Sequence, residues 1–162
     1  MKKIILVRHA ESPFSDLKIK DYDRPLNYKG ISEANLMGNE IKNYKMEVDF
    51  MITSGANRAF HTSKIVAKNI GFDIEKIKID NNIYNSSTNF MINLLCGIPN
   101  DYKIIMLFGH NPTFHHLSQI LSGELVNNFP PCSMFCINFD IYNWININKG
   151  KKEFMIYPDL FK

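Results

Sequence analysis

What this chain lacks narrows its possibilities before any motif is considered. It has three cysteines, Cys96, Cys132 and Cys136. Their odd number and lack of framework spacing argue against a disulfide scaffold and for a reducing compartment. No nearby Cys or His completes a metal set with Cys132 and Cys136, so these two read as small buried hydrophobes. Long apolar runs are also missing. The run after Met1-Lys2-Lys3 is only Ile4-Ile5-Leu6-Val7, shorter than the roughly 7–15 residues of a signal-peptide core. Nothing approaches the ~18 apolar residues of a membrane span. The expectation is an unexported, cytoplasmic protein that does not enter a membrane. A strong charge imbalance is absent as well: the net charge is +3, with lysines spread along the chain and acidic residues between them. That pattern reads as a solvated surface and gives no basic stripe for nucleic acid.

Arginine is the most informative scarcity. Only Arg8, Arg24 and Arg58 stand among nineteen basic side chains. A guanidinium binds phosphate or carboxylate through two parallel hydrogen bonds, which an ammonium cannot do. Where a lysine-rich chain uses arginine, an anion site is a natural reason.

The 162 residues fit one domain spanning 1–162 with one sizeable core. Lys3–Val7 is a short continuous apolar run and reads as a buried strand. Asp16–Asp23 reads as a loop. Asn27 is placed to cap a helix over Tyr28–Tyr44. Asp49–Thr53 reads as a strand, Ala56–Ile70 as a helix stopped by Gly71, and Ile74–Asp80 as a more exposed strand. Thr88–Cys96 reads as a short helix and Lys103–Phe108 as a buried strand. A further helix, Pro112–Leu121, starts with proline in its first turn. Cys132–Asp140 and Glu153–Tyr157 read as strands, and Tyr142–Ile147 is ambiguous. The alternation predicts a three-layer α/β/α fold with a mostly parallel central sheet and an antiparallel edge strand.

The three most apolar strands share a kind of ending. The first runs into Arg8-His9. The second runs into Thr53-Ser54-Gly55, with Arg58 in the next helical turn. The third runs into Gly109-His110-Asn111-Pro112. Ligands of open parallel sheets bind beyond the carboxyl ends of the strands. Parallel packing of these strands would therefore gather Arg8, His9, Arg58 and His110. Gly55 and Gly109 are expected to let backbone approach a ligand, and the helix after Pro112 to aim N–H groups at it. Two arginines, two histidines and a helix N-terminus suit a phosphoryl dianion, of charge about −1.5 to −2 at neutral pH. Binding alone would need only the arginines, so the histidines suggest covalent chemistry. The neighbouring arginines are expected to lower the His9 pKa and keep its nitrogen free.

The segments Leu6-Val7-Arg8-His9-Ala10-Glu11-Ser12, Asp23-Arg24-Pro25-Leu26-Asn27-Tyr28-Lys29-Gly30, Ser54-Gly55-Ala56-Asn57-Arg58-Ala59-Phe60-His61-Thr62 and Gly109-His110-Asn111-Pro112-Thr113 resemble, in order, the histidine phosphatase superfamily with its phosphoglycerate mutase-like fold. Within it they are most similar to compact SixA-type phosphohistidine phosphatases. The resemblance implies that His9 is phosphorylated and then hydrolysed, and that Arg8, Arg58 and His110 hold the phosphoryl group. It also implies that no metal or cofactor is needed. It puts Arg24 near the pocket mouth, where it would touch substrate. His61, one helical turn after Arg58, and Ser15 and Glu11 are further candidates for substrate binding. Ala10 stands where the family usually has Gly, and Gly55 where Pro is frequent.

The family's acidic proton donor has no counterpart that can be aligned. Asp73, Glu75, Asp80 and Asp101 match no motif, and Glu11, Asp23 and His61 remain as alternatives. A missing acid matters less for a phosphohistidine, whose leaving imidazole can be protonated by water, than for an alkoxide. The expected partner is a phosphohistidine-bearing protein. The alternatives are a small-molecule phosphomonoester phosphatase and a non-catalytic phosphate-binding module.

Overall fold

The computed structural model describes residues 1–14 and 18–162; Ser15 lies outside the described residues. A six-stranded sheet forms the centre. Its strands are β1 (Lys2–Arg8), β2 (Phe50–Thr53), β3 (Lys78–Ile79), β4 (Ile104–Gly109), β5 (Met134–Phe139) and β6 (Lys151–Ile156), in the order β3-β2-β4-β1-β5-β6. The first four are mutually parallel, while β5 and β6 are antiparallel to their neighbours. Among the described residues four α-helices cover it: α1 (Tyr28–Lys42), α2 (Asn57–Ile70), α3 (Thr88–Cys96) and α4 (Thr113–Ser122). Among the described residues no helix is long and apolar enough to cross a membrane.

The continuous apolar runs become central strands because both sheet faces are covered. Successive side chains of β1 and β4 point to opposite faces. Ile4, Leu6, Ile105 and Leu107 pack with Met91 and Leu95 of α3 and Phe114 and Leu117 of α4. Ile5, Val7, Met106 and Phe108 pack with Ala34 and Met37 of α1 and Val66 and Ala67 of α2. Burial of each large apolar side chain stabilises by roughly 1.5–3 kcal/mol. These two strands therefore form the most firmly fixed part of the fold.

Helix ends follow local chemistry. Asn27 Oδ1 accepts the Gly30 N–H at 2.7 Å, Ser87 Oγ accepts that of Phe90 at 3.0 Å, and Gly71 ends α2 in the left-handed conformation. Cys132 and Cys136 are buried, as read, and burial raises the pKa of both thiols.

Three expectations need correction. Ile74–Asp80 is not one strand: Ile74–Lys76 is a 3-10 turn and only Lys78–Ile79 pairs with β2. Asp73 accepts the Glu75 N–H at 3.0 Å, a side-chain bond that competes with the ladder. The expected antiparallel edge strand is present as β6, which pairs with a second antiparallel strand, β5. Pro112 is the N-cap of α4 and not its first residue. Gly55 and Gly109 make room for protein, not ligand. A Cβ on Gly55 would lie 1.9 Å from Asn81 Oδ1, and one on Gly109 would lie 2.4 Å from the Phe114 ring. The ambiguous stretch Tyr142–Ile147 contains a 3-10 turn, Trp144–Asn146, which buries Trp144.

Candidate active site

The carboxyl ends of β1, β2 and β4 lie side by side, and the sheet pairing runs past them. The His9 N–H donates to Gly109 O (3.0 Å), and the Ser54 N–H donates to Phe108 O (3.0 Å). From the other side, the Cys132 N–H donates to His9 O at 3.1 Å. His9 is thus clamped between two strands and lies beside His110, with ring centroids 5.3 Å apart. Arg58 arrives from α2. The buried positions of that helix are Arg58, Ala59, Thr62, Ser63, Val66 and Ala67, a helical period that begins at the arginine. The stripe that seats α2 on the sheet therefore also aims Arg58 inward.

The hydrogen-bond partners fix the state of His9. Its Nδ1 lies 2.7 Å from Ala10 O, which can only accept, so Nδ1 carries the proton. Its Nε2 lies 3.3 Å from Arg58 Nε, which can only donate, so Nε2 presents a lone pair. The His9 pKa is lowered to about 3, chiefly by burial; His110, Arg58 and Arg8 add smaller contributions. The expected direction is present, with burial ahead of the arginines as its cause. Burial and then Arg58 lower His110 to about 4. Both imidazoles are neutral near pH 7.

Three of the central residues have fixed settings. His110 Nε2 lies 2.8 Å from Ser54 Oγ. Arg8 Nη1 donates to Phe129 O at 3.0 Å, a carbonyl that also accepts from Asn111 Nδ2 at 2.9 Å. Arg58 Nη1 and Nη2 donate to the main-chain O (2.6 Å) and Oδ2 (3.0 Å) of Asp21. Arg8 Nε and His110 Nδ1 are buried with no partner among the described residues. Arg8, whose pKa falls through burial and the nearby Arg58, is a cation held beside another cation. Such a setting attracts a compact anion.

The other sequence candidates lie apart from this centre. Arg24 is buried and bonded through Nε to Asp21 Oδ1 at 3.0 Å and through Nη1 to Ser12 O. Its guanidinium sits 4.0 Å from the centre of the Phe14 ring. The Glu11 carboxylate accepts from Asn27 Nδ2 at 3.1 Å and pairs with Lys29 Nζ at 3.1 Å. His61, half-buried on α2, makes no hydrogen bond or ring contact with the four central residues among the described residues. Asp23 is exposed, and its main-chain O accepts from Asn57 Nδ2. His115 bonds Val126 O and stacks near Phe129, a packing role in the loop that carries the Arg8 partner. Sequence reasoning missed Asp21, Tyr84 and the pairing of Ser54 with His110. Asp21 is three residues before Arg24, so the Arg24 segment pointed close to it. Tyr84 lies in a polar stretch without periodicity.

The comparisons agree with this geometry. The model of the histidine phosphatase superfamily (branch 1) matches residues 4–83, a span that holds Arg8, His9 and Arg58. The chain belongs to the histidine phosphatase superfamily. His110, beyond the matched span, is brought in by the pairing of β1 with β4. Among solved structures, the protein histidine phosphatase SixA complexed with tungstate superposes with a TM-score of 0.86 at 20% identity, covering 99% of both chains. A protein from Agrobacterium tumefaciens assigned as phosphohistidine phosphatase SixA gives 0.84 at 23%, covering 97% of this chain and 98% of its own. At these identities the likeness is one of fold. An uncharacterised chloroplastic protein of Arabidopsis thaliana is 25% identical over 133 residues, covering 77% of this chain and 61% of that relative.

Proposed function

We propose that this histidine phosphatase superfamily member is a metal-independent phosphohistidine phosphatase acting on proteins through an intermediate on His9. The observation that carries it is the fixed His9 imidazole, proton on Nδ1 toward Ala10 and Nε2 lone pair beside Arg58. In the first step Nε2 attacks phosphorus and the substrate P–N bond breaks. The phosphoryl group passes to His9, and the leaving imidazole takes a proton from water. In the second step water attacks the phosphoryl group, the Nε2–P bond breaks, inorganic phosphate leaves, and the water proton goes to solvent. Arg8 and Arg58 stabilise the charge on the transferring oxygens, whose spread in the transition state favours fixed cations. With the Ser54 hydroxyl donating to His110 Nε2, 2.8 Å away, the His110 proton would sit on Nδ1, which is buried without a partner among the described residues and would serve a non-bridging oxygen.

The carboxylates nearby favour a nitrogen leaving group. Asp21 is held down at about 2, first by the Tyr84 hydroxyl and further by its arginines. The Glu11 pKa is lowered by Asn27 and Lys29. Neither keeps a proton near neutral pH to give an alkoxide. Purified protein is expected to hydrolyse phosphoramidate and a phosphohistidine peptide far faster than p-nitrophenyl phosphate or a sugar phosphate. Equal or better turnover of the esters would contradict the substrate class.

A further inference from the structure

We propose that Tyr84 is a positioning residue of the pocket, acting through Asp21 on Arg58 and through its ring edge on His110. Asp21 accepts four bonds from side chains: Oδ1 accepts from Arg24 Nε at 3.0 Å, Oδ2 from Arg58 Nη2 at 3.0 Å and from the Tyr84 hydroxyl at 2.5 Å, and its main-chain O accepts from Arg58 Nη1 at 2.6 Å. With both terminal nitrogens held by one residue, the guanidinium has its Nε edge turned to His9. The Tyr84 ring stands edge-on to His110, centroids 5.5 Å apart at 77°, and 5.9 Å from Arg58 Cζ. One side chain thus contacts two neighbours of the nucleophile, Arg58 and His110.

Asp21 cannot hold that geometry unaided. It lies on a single 3-10 turn, Asp21–Asp23, with its side chain 42% exposed. The Tyr84 segment is anchored. Ile83 is buried in the core, the Asp80 N–H bonds Thr53 O at the end of β2, and Thr113 Oγ1 at the start of α4 bonds Ser86 O at 2.6 Å. The turn leans on this segment twice, because the Tyr22 hydroxyl also bonds Asn81 Oδ1 at 2.6 Å and its ring meets Tyr84 edge-on. A hydrogen bond to a charged group from a fixed donor restricts orientation more than one from a loose donor. Tyr84 passes the rigidity of the β2 and α4 ends to Arg58.

The catalytic readout rests on the phosphatase reading, so the test carries a second readout that does not. Wild type, Tyr84→Phe, Asp21→Asn and the double variant are compared for phosphoramidate turnover, tungstate affinity by calorimetry, and urea midpoint. Tyr84→Phe is expected to lower kcat by about tenfold with KM changed less than about twofold, the scale of one lost bond to a charged group. The double variant should be no slower than Asp21→Asn, since groups acting in series are not additive. Tungstate should bind more weakly in all three variants. Wild-type kcat and tungstate affinity in Tyr84→Phe would overturn the inference, as would losses that multiply in the double variant. If the wild type does not turn over phosphoramidate, the phosphatase reading fails by itself. Tungstate then decides: weaker, non-additive binding supports the role of Tyr84, and unchanged binding overturns it.

Discussion

The floor and the rim of this pocket are built by different means. The floor consists of Arg8, His9, Ser54 and His110 at the ends of three parallel strands, together with Arg58 on the buried stripe of α2. Backbone pairing places these residues, and core packing on both faces of the sheet locks that pairing. The rim consists of Asp21, Arg24, Tyr22 and Tyr84, on turns, joined by side-chain bonds between segments up to 63 residues apart. A site of this kind takes its precision from the sheet and its adjustment from the loops.

The contrast can be broken by experiment. Arg58→Lys removes the fork that faces His9 and Asp21 together, and a single ammonium cannot reproduce it. It should cost about 10²–10³ in kcat, the scale of a lost charge-stabilising group. Steady-state turnover checks this, and near-normal activity would remove Arg58 from the floor. Arg24→Ala is a rim change and should cost no more than about tenfold, mainly in KM. A loss as large as that of Arg58→Lys would erase the distinction between the regions.

Stability sharpens it further. Thr62 Oγ1 accepts the Ala10 N–H at 3.0 Å beneath the nucleophile and donates to Arg58 O at 2.7 Å. Thr62→Val leaves the Ala10 N–H buried and unpaired, a cost of about 1–3 kcal/mol, readable as a lower urea midpoint. The floor also makes folding sensitive to acid. His9 at about 3 and His110 at about 4 lie below the ordinary 6.5 of imidazole. Between these values the unfolded chain binds protons that the native chain does not. Stability therefore falls as pH drops from about 6.5 toward about 3, and above that window these groups contribute no slope. Urea midpoints at pH 7.5, 6 and 5 should decline, and His9→Ala should flatten the decline.

The same division explains what was legible in the sequence. Ile4–Val7 and the run to Phe108 announce buried strands by composition alone, and the residues that follow them announce the floor. Asn27, Ser87 and Gly71 mark helix ends because capping is local chemistry. Ile74–Asp80 misled because alternation suggested a ladder while Asp73 drew the backbone into a turn. Glu11 is a sequence candidate for proton donor and substrate contact, yet its carboxylate is bonded to Asn27 and Lys29. Asp21 and Tyr84 matter through bonds between distant segments, which periodicity and spacing do not encode.

The central claim is that a neutral, oriented His9 Nε2 takes the phosphoryl group. Rapid quench after mixing with ³²P-labelled phosphoramidate, followed by peptide mapping and ³¹P NMR of the unlabelled adduct, tests it directly. The prediction is an acid-labile phosphoramidate on His9 at Nε2, absent from His9→Ala, which turns over nothing. A label at Nδ1 or on another residue, or turnover with no labelled histidine at any quench time, would contradict the account.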